Sequence, residues 1–127
     1  MTRTRTPRPH TPVRGSRTGR PIMALLDLLG RRWALRAIWE LRPGPLSSRA
    51  LRAACGGISP TVVSDRMTEL REAGLVALEP AAGYALTPLG HELIERFAPL
   101  GAWAERWAES LAQRPARRRR NSAVSQH

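Results

Sequence analysis

Short polar side chains stand at helical spacing in the middle of this chain: Thr61, Ser64, Asp65 and Thr68, flanked by Arg66 and Arg71. Hydroxyls, a carboxylate and guanidiniums in that arrangement can exchange hydrogen bonds with base edges and phosphates. Ser59 can cap a helix or bond a phosphate, and Pro60 suits the first helical position because it has no N–H to leave unpaired. Val63, Met67 and Leu70 recur at i, i+4 and i+7, so the spacing predicts a helix over Ser59 to Ala73 with one apolar stripe. The opposite face then shows Thr61, Asp65, Thr68 and Glu72, with Ser64 alongside. Arg66 and Arg71 flank it, better placed for phosphates than for bases. For Arg66 an internal ion pair with Asp65 or Glu69 is the competing reading. Asp65 can accept from cytosine N4, but a carboxylate there also repels phosphates.

Other reactive side chains are sparse. His91, with Glu92 and Glu95 close by, imitates a metal-ligand set, yet two glutamates at i, i+3 more often form a solvated face. No metal site, cofactor motif, Gly-rich phosphate loop or nucleophile motif is found, which argues against an enzyme. Cys55 is the only cysteine, so no intramolecular disulfide can form. It falls in a turn, either as a thiol whose oxidation disturbs the following helix or as a small residue packed beneath it.

The elements that must hold these residues are legible from punctuation. Ile22 to Leu29 reads as a short helix ended by Gly30, and Arg32 to Leu41 as a second, closed by Pro43-Gly44-Pro45. Ser47 or Ser48 caps a third, Arg49 to Ala54, and Cys55-Gly56-Gly57-Ile58 turns into the polar-faced helix. Gly74 stops that helix, since glycine best takes the left-handed position past a helix end. Two short strands follow, Leu75 to Leu78 and Tyr84 to Leu86, and Thr87-Pro88 opens a last helix. Along it Leu93, Phe97, Leu100, Ala104, Trp107 and Leu111 step by 4, 3, 4, 3 and 4, the seam of a helix that packs along another, with Trp103 beside it. Pro99 and Gly101 predict a kink or break near Phe97.

Charge is distributed unevenly over the 127 residues, whose formal net is +11. Residues 1–20 carry six arginines and residues 112–127 five, with no acid in either, which leaves ten arginines against ten acids in between. The ends therefore hold the whole excess, and basic arms of this kind attract polyanions with an affinity that falls as salt rises. Residues 1–20, rich in Thr, Pro and Arg, are expected to be a disordered arm, and 112–127 a disordered basic tail. No apolar run approaches the roughly 18 residues of a membrane span. Pro7, Pro9 and Pro12 interrupt the amphipathic helix that a transit peptide needs, so a cytoplasmic location is expected.

In order, these elements are helix, helix, short helix, turn, helix, two-stranded wing and long helix: a mainly α fold with a small β wing, a winged helix-turn-helix with a terminal dimerisation helix. The chain resembles the HxlR-type regulators, a bacterial branch of the MarR-like winged-helix proteins. The matching residues are Leu28-Leu29-Gly30-Arg31-Arg32-Trp33, Ile38-x-x-Leu41 with Gly44-Pro45, Gly57-Ile58-Ser59-Pro60, and Val63-Ser64-x-Arg66-Met67-x-Glu69-Leu70. Glu72-Ala73-Gly74-Leu75-Val76, Tyr84-x-Leu86-Thr87-Pro88-Leu89-Gly90 and Trp103 complete the set, which spans about residues 21–111 in order.

The resemblance implies a homodimer acting as a sequence-specific local repressor on a pseudo-palindromic operator in double-stranded DNA. Ser59, Pro60, Thr61, Ser64, Asp65, Arg66, Thr68 and Arg71 would then meet DNA. Leu93, Phe97, Leu100, Trp103, Trp107 and Leu111, on a helix over about 88–111, would meet the second subunit. Such folds admit a small-molecule effector, which Trp33, Trp39 and Trp103 are candidates to line, with plain core packing as the alternative. Members that sense oxidants carry a cysteine just before the first helix's proline; Arg20 stands there instead. The family commonly has glutamine at the position of Asp65 and a longer, basic wing. Here Pro80-Ala81-Ala82-Gly83 is uncharged and Glu79 acidic, so the basic arms are candidates to replace the wing on DNA. The rival reading is a winged helix that binds another protein and little specific DNA.

Overall fold

The computed structural model describes residues 5–114. Arg3 and the Arg117–Arg120 run of the basic tail lie outside the described residues. The order is α1 (Pro21–Leu29), α2 (Ala34–Glu40), α3 (Ser48–Ala54), α4 (Pro60–Glu72), β1 (Val76–Glu79), β2 (Gly83–Leu86) and α5 (Pro88–Ala112). By contact the chain divides into one unit ending at Ile94 and a second beginning at Glu95.

In the first unit, each helix turns one stripe toward a single apolar core. Leu28 of α1, Ala37 and Ile38 of α2, Leu51 of α3, and Val63, Met67 and Leu70 of α4 meet there, with Leu41, Ile58, Leu75, Val76, Leu86 and Ile94. Cys55 belongs to the same cluster and is 1% exposed. The helix ends follow their local chemistry. The Ser47 hydroxyl accepts from the Ala50 N–H and the Ser59 hydroxyl from the Val62 N–H, each filling one vacancy of a first turn. At the far end of α4 the Gly74 N–H donates to the Arg71 carbonyl and the Leu75 N–H to the Leu70 carbonyl, both at 3.0 Å. That doubled return needs the left-handed residue between them, and Gly74 supplies it at φ 78°.

The wing is an antiparallel pair with Val76 opposite Leu86 and Glu79 opposite Gly83. Leu46 adds a further rung by exchanging two hydrogen bonds with Tyr84, at 2.8 and 2.9 Å. Gly83 makes that approach possible: a Cβ there would stand 2.4 Å from the Leu46 carbonyl oxygen. Thr87 joins two elements, its hydroxyl donating to the Gly74 carbonyl (2.6 Å) and accepting from the Gly90 N–H (3.1 Å).

Three expectations differ from the structure. Helix α2 starts at Ala34 rather than Arg32, because Trp33 sits at φ 74°, left-handed backbone outside a helix. Helix α5 runs through Pro99 and Gly101 from Pro88 to Ala112 without the break expected near Phe97. A proline removes one N–H from the ladder, and the turns on either side keep theirs. Residues 5–20, expected to form a disordered arm, close into a loop against the body. The His10 N–H donates to the Gly19 carbonyl (2.7 Å), Val13 and Ser16 exchange two hydrogen bonds, and Thr6 is buried at 7% exposure. Composition counts bulky apolar residues, whereas the pieces buried here are small: Thr6, Pro7 and Gly19.

In the second unit every residue from 98 to 110 is exposed. Trp103 and Trp107, one turn apart, stack with ring centres 6.1 Å apart and planes 8° from parallel. Leu100, Trp103 and Trp107 are each about half exposed, at 49%, 49% and 54%. No helix among the described residues is long and apolar enough to cross a membrane.

Candidate nucleic-acid interface

Helix α4 is split lengthwise. Val63, Met67, Glu69 and Leu70 are buried along its back. On the other side Ser59, Pro60, Thr61, Ser64 and Arg71 are exposed, while Asp65 and Thr68 are half-buried. Thr61 and Ser64 offer hydroxyls that can donate or accept, the requirement for reading a base edge. The Thr68 hydroxyl donates to the Ser64 carbonyl at 2.8 Å, so toward a ligand it presents a lone pair and a methyl group. Arg71 and Thr68, with Glu72 and Val76 to Leu78, line a shallow groove between α4 and β1. The wing tip, Pro80 to Ala82, is exposed and without charge.

Arg66 stands apart from the other candidates. Its Nε lies 2.9 Å from Glu69 Oε1, an ion-pair contact off the N–H direction, and its Nη2 donates to Glu69 Oε2 at 3.3 Å. Nη1 donates to the Arg32 carbonyl at 3.2 Å. Arg31, from the link between α1 and α2, closes on the same carboxylate at 2.6 Å. Glu69 is wholly buried, with the two arginine side chains 13% and 17% exposed. Arg66 therefore makes the internal pair with Glu69, one of the two roles its sequence position allowed.

Sequence reasoning missed the burial of Glu69 and the part of Arg31. The available signal was a glutamate directly beside Leu70 on the apolar stripe, one turn after an arginine. The turn before α4 is braced by Arg52, whose Nε donates to the Ile58 carbonyl at 3.0 Å. Trp33 packs on the core, Trp39 carries the Arg42 guanidinium 3.7 Å over its ring, and Trp103 stacks on Trp107. Among the described residues no group of His, Cys, Asp and Glu gathers as a metal set.

Burial pushes the Cys55 thiol above its usual range, with Arg36 opposing and Glu40 adding to the effect. The thiolate is the reactive form, so at neutral pH the native thiol is both protonated and covered. Iodoacetamide at pH 8 is expected to alkylate Cys55 in the folded protein at least about tenfold more slowly than after unfolding in urea. Equal rates, followed by mass spectrometry, would show an accessible thiolate.

A capped helix with a hydroxyl-bearing outer face, set after a tight turn and before a two-stranded wing, defines a winged helix DNA-binding transcriptional regulator. The model of the HxlR-like helix-turn-helix family matches residues 28–112, and the chain belongs to that family. It is 30% identical to the HTH-type transcriptional regulator YtfH of Escherichia coli K12 over 91 residues, covering 67% of this chain and 72% of that protein. Among solved structures, a MarR-family transcriptional regulator from Enterococcus faecalis V583 matches with TM-score 0.66 and 31% identity, over 73% of this chain and 90% of that one. Quinone-bound YodB from B. subtilis matches with TM-score 0.64 and 28% identity, over 68% of this chain and 97% of that one.

Proposed function

We propose that the chain acts as a homodimer, repressing a nearby gene by occupying a pseudo-palindromic operator. Its winged-helix domain, residues 21–111, carries basic extensions at both ends, and residues 5–20 of the first pack against it. The observation that carries the dimer is the open apolar face of Leu100, Trp103 and Trp107 on a helix whose residues 98–110 are all exposed. Stacked tryptophans left in water are a poor end state for a monomer. Each subunit then places α4 in a major groove, with Ser59 and Arg71 toward phosphates and Thr61, Ser64, Asp65 and Thr68 toward bases. Half-sites fall about one helical turn, 10–10.5 base pairs, apart or a multiple of that. Arg49, exposed on α3, suits a phosphate, since the first helix of such a pair crosses the backbone. Leu93 and Phe97 are half-buried, and Leu93 packs on the core, so the subunit contact rests chiefly on the residues beyond them.

A small-molecule effector also belongs to this reading, supported by the quinone found on the related YodB. A cytoplasmic site of action follows from an operator as target. Selection of duplexes from a random pool by the full-length chain tests the reading; enrichment of two inverted half-sites is expected, and enrichment of none refutes it. On the selected duplex, Thr61→Ala and Ser64→Ala should each lose about 1–3 kcal/mol of binding and relax the preference at one base pair per half-site. Unchanged preference in both would remove α4 from base reading.

A further inference from the structure

Asp65 and Glu72 place negative charge on a helix that must approach phosphates. In the structure both lie beside the N-terminal loop. Glu72 Oε1 accepts from the Thr6 hydroxyl, and Thr6 is one of only two buried polar or charged residues among those described. One residue earlier, the Arg5 carbonyl accepts from Arg31, whose guanidinium also holds Glu69. Among the described residues the loop is thus fastened to α4 directly through Glu72 and indirectly through Arg31 and Glu69. A third point, the Arg14 N–H on Asp27 Oδ2 at 3.2 Å, ties it to α1. A cleft of about 820 Å³ runs between loop and body, with Arg5 and Arg14 of the loop and Arg32 and Asp65 of the body among its walls. A smaller one is walled by Arg5, Thr6, Arg8 and Glu72. Thr61, Ser64 and Thr68 line neither, so the loop flanks the reading face and leaves it open.

We propose that Thr6 and Glu72 form a latch that holds Arg5 and Arg8 beside α4 as fixed phosphate contacts. Both arginines are exposed, on the same flank as the last turn of the reading helix. An arm that swings freely must be ordered each time it meets DNA, at a cost of about 1–2 kcal/mol per residue fixed. A latched arm is ordered beforehand. Glu72 then serves DNA binding through the arm it anchors, although its own charge opposes phosphate. This inference rests on the DNA-binding reading above and assigns the acidic residue a purpose in it.

The sign of one substitution separates the latch from simple charge. Removing an acid near DNA should tighten binding if Glu72 acts only through its field. Under the latch, Glu72→Ala and Thr6→Val should each weaken binding to the selected duplex by about tenfold at 0.1 M salt. Each should also lower the steepness of log K against log salt by about one to two, the loss of Arg5 and Arg8 as contacts. The double variant should be no weaker than either single one, because both changes open the same latch. Tighter or unchanged binding by Glu72→Ala, or a full salt slope in Thr6→Val, overturns the proposal. Tryptic cleavage after Arg5 in the DNA-free chain provides a separate readout. It should be faster in both variants, and an unchanged rate overturns the latch even if affinity falls. A full-length chain that enriches no duplex refutes the operator reading, and the cleavage rates then still decide whether the latch exists.

Discussion

Glu69→Ala should cost about 3–5 kcal/mol of folding stability, the range seen when one partner of a buried ion pair is removed. The carboxylate is wholly buried on the back of α4 and holds two guanidiniums that are themselves less than a fifth exposed. Without it, Arg31 and Arg66 face each other as covered like charges in a space their hydration cannot reach. With a urea slope of about 2 kcal/mol per molar for a domain of this size, the midpoint should fall by about 2 M. Glu69→Gln keeps the shape and one acceptor, and should lose less. Adding Arg31→Met and Arg66→Met to Glu69→Leu should restore most of the stability, because an apolar set of similar volume carries no desolvation penalty. A midpoint within about 0.3 M of the parent for Glu69→Ala would mean that the charges are hydrated and the triad is only a surface arrangement.

If the chain pairs through α5 as proposed, Trp103→Glu combined with Trp107→Glu should leave it monomeric and reduce affinity for the proposed two-half-site operator by at least about a hundredfold. Two linked reading helices gain about 10²–10⁴ over one from effective concentration alone, and a monomer forfeits that gain. The substituted positions are about half exposed and lie in the unit that begins at Glu95, so the core of the first unit should melt as before. Sedimentation velocity reads the first effect and titration of the selected duplex the second. A variant that still sediments as a dimer places the subunit contact elsewhere, and one that becomes monomeric yet binds with full affinity removes the need for two half-sites.

The parts of the fold legible in the sequence are those fixed by local backbone chemistry. Ser59 with Pro60, and Gly74, mark both ends of α4 because a cap, a missing N–H and a left-handed residue each answer one unpaired backbone group. The short apolar runs Leu75 to Leu78 and Tyr84 to Leu86, on either side of the Pro80-Ala81-Ala82-Gly83 turn, place the wing to within a residue. Of the kink or break that Pro99 and Gly101 lead one to expect, the break does not occur, since proline carries a local penalty that the turns on either side outweigh. Trp33 in left-handed backbone has no sequence signal, for a bulky residue there is held by what packs around it. The candidate site divides the same way. Periodicity separated Thr61 and Ser64 from the core stripe. It could not tell that Glu69 would be buried with two arginines, because helix spacing locates a residue on a face and leaves its partners, 38 residues away in the case of Arg31, unspecified.

The lengthwise division of α4 also bears on how such a protein diverges. The residues that pack the helix on the core, Val63, Met67, Glu69 and Leu70, are on the covered side, while Thr61 and Ser64 are exposed. Exposed substitutions of that kind usually shift stability by no more than about 0.5 kcal/mol. With Thr61 and Ser64 reading bases as proposed, a duplicated copy can exchange its outer letters one at a time and acquire a new address in the genome, with the chassis inherited intact.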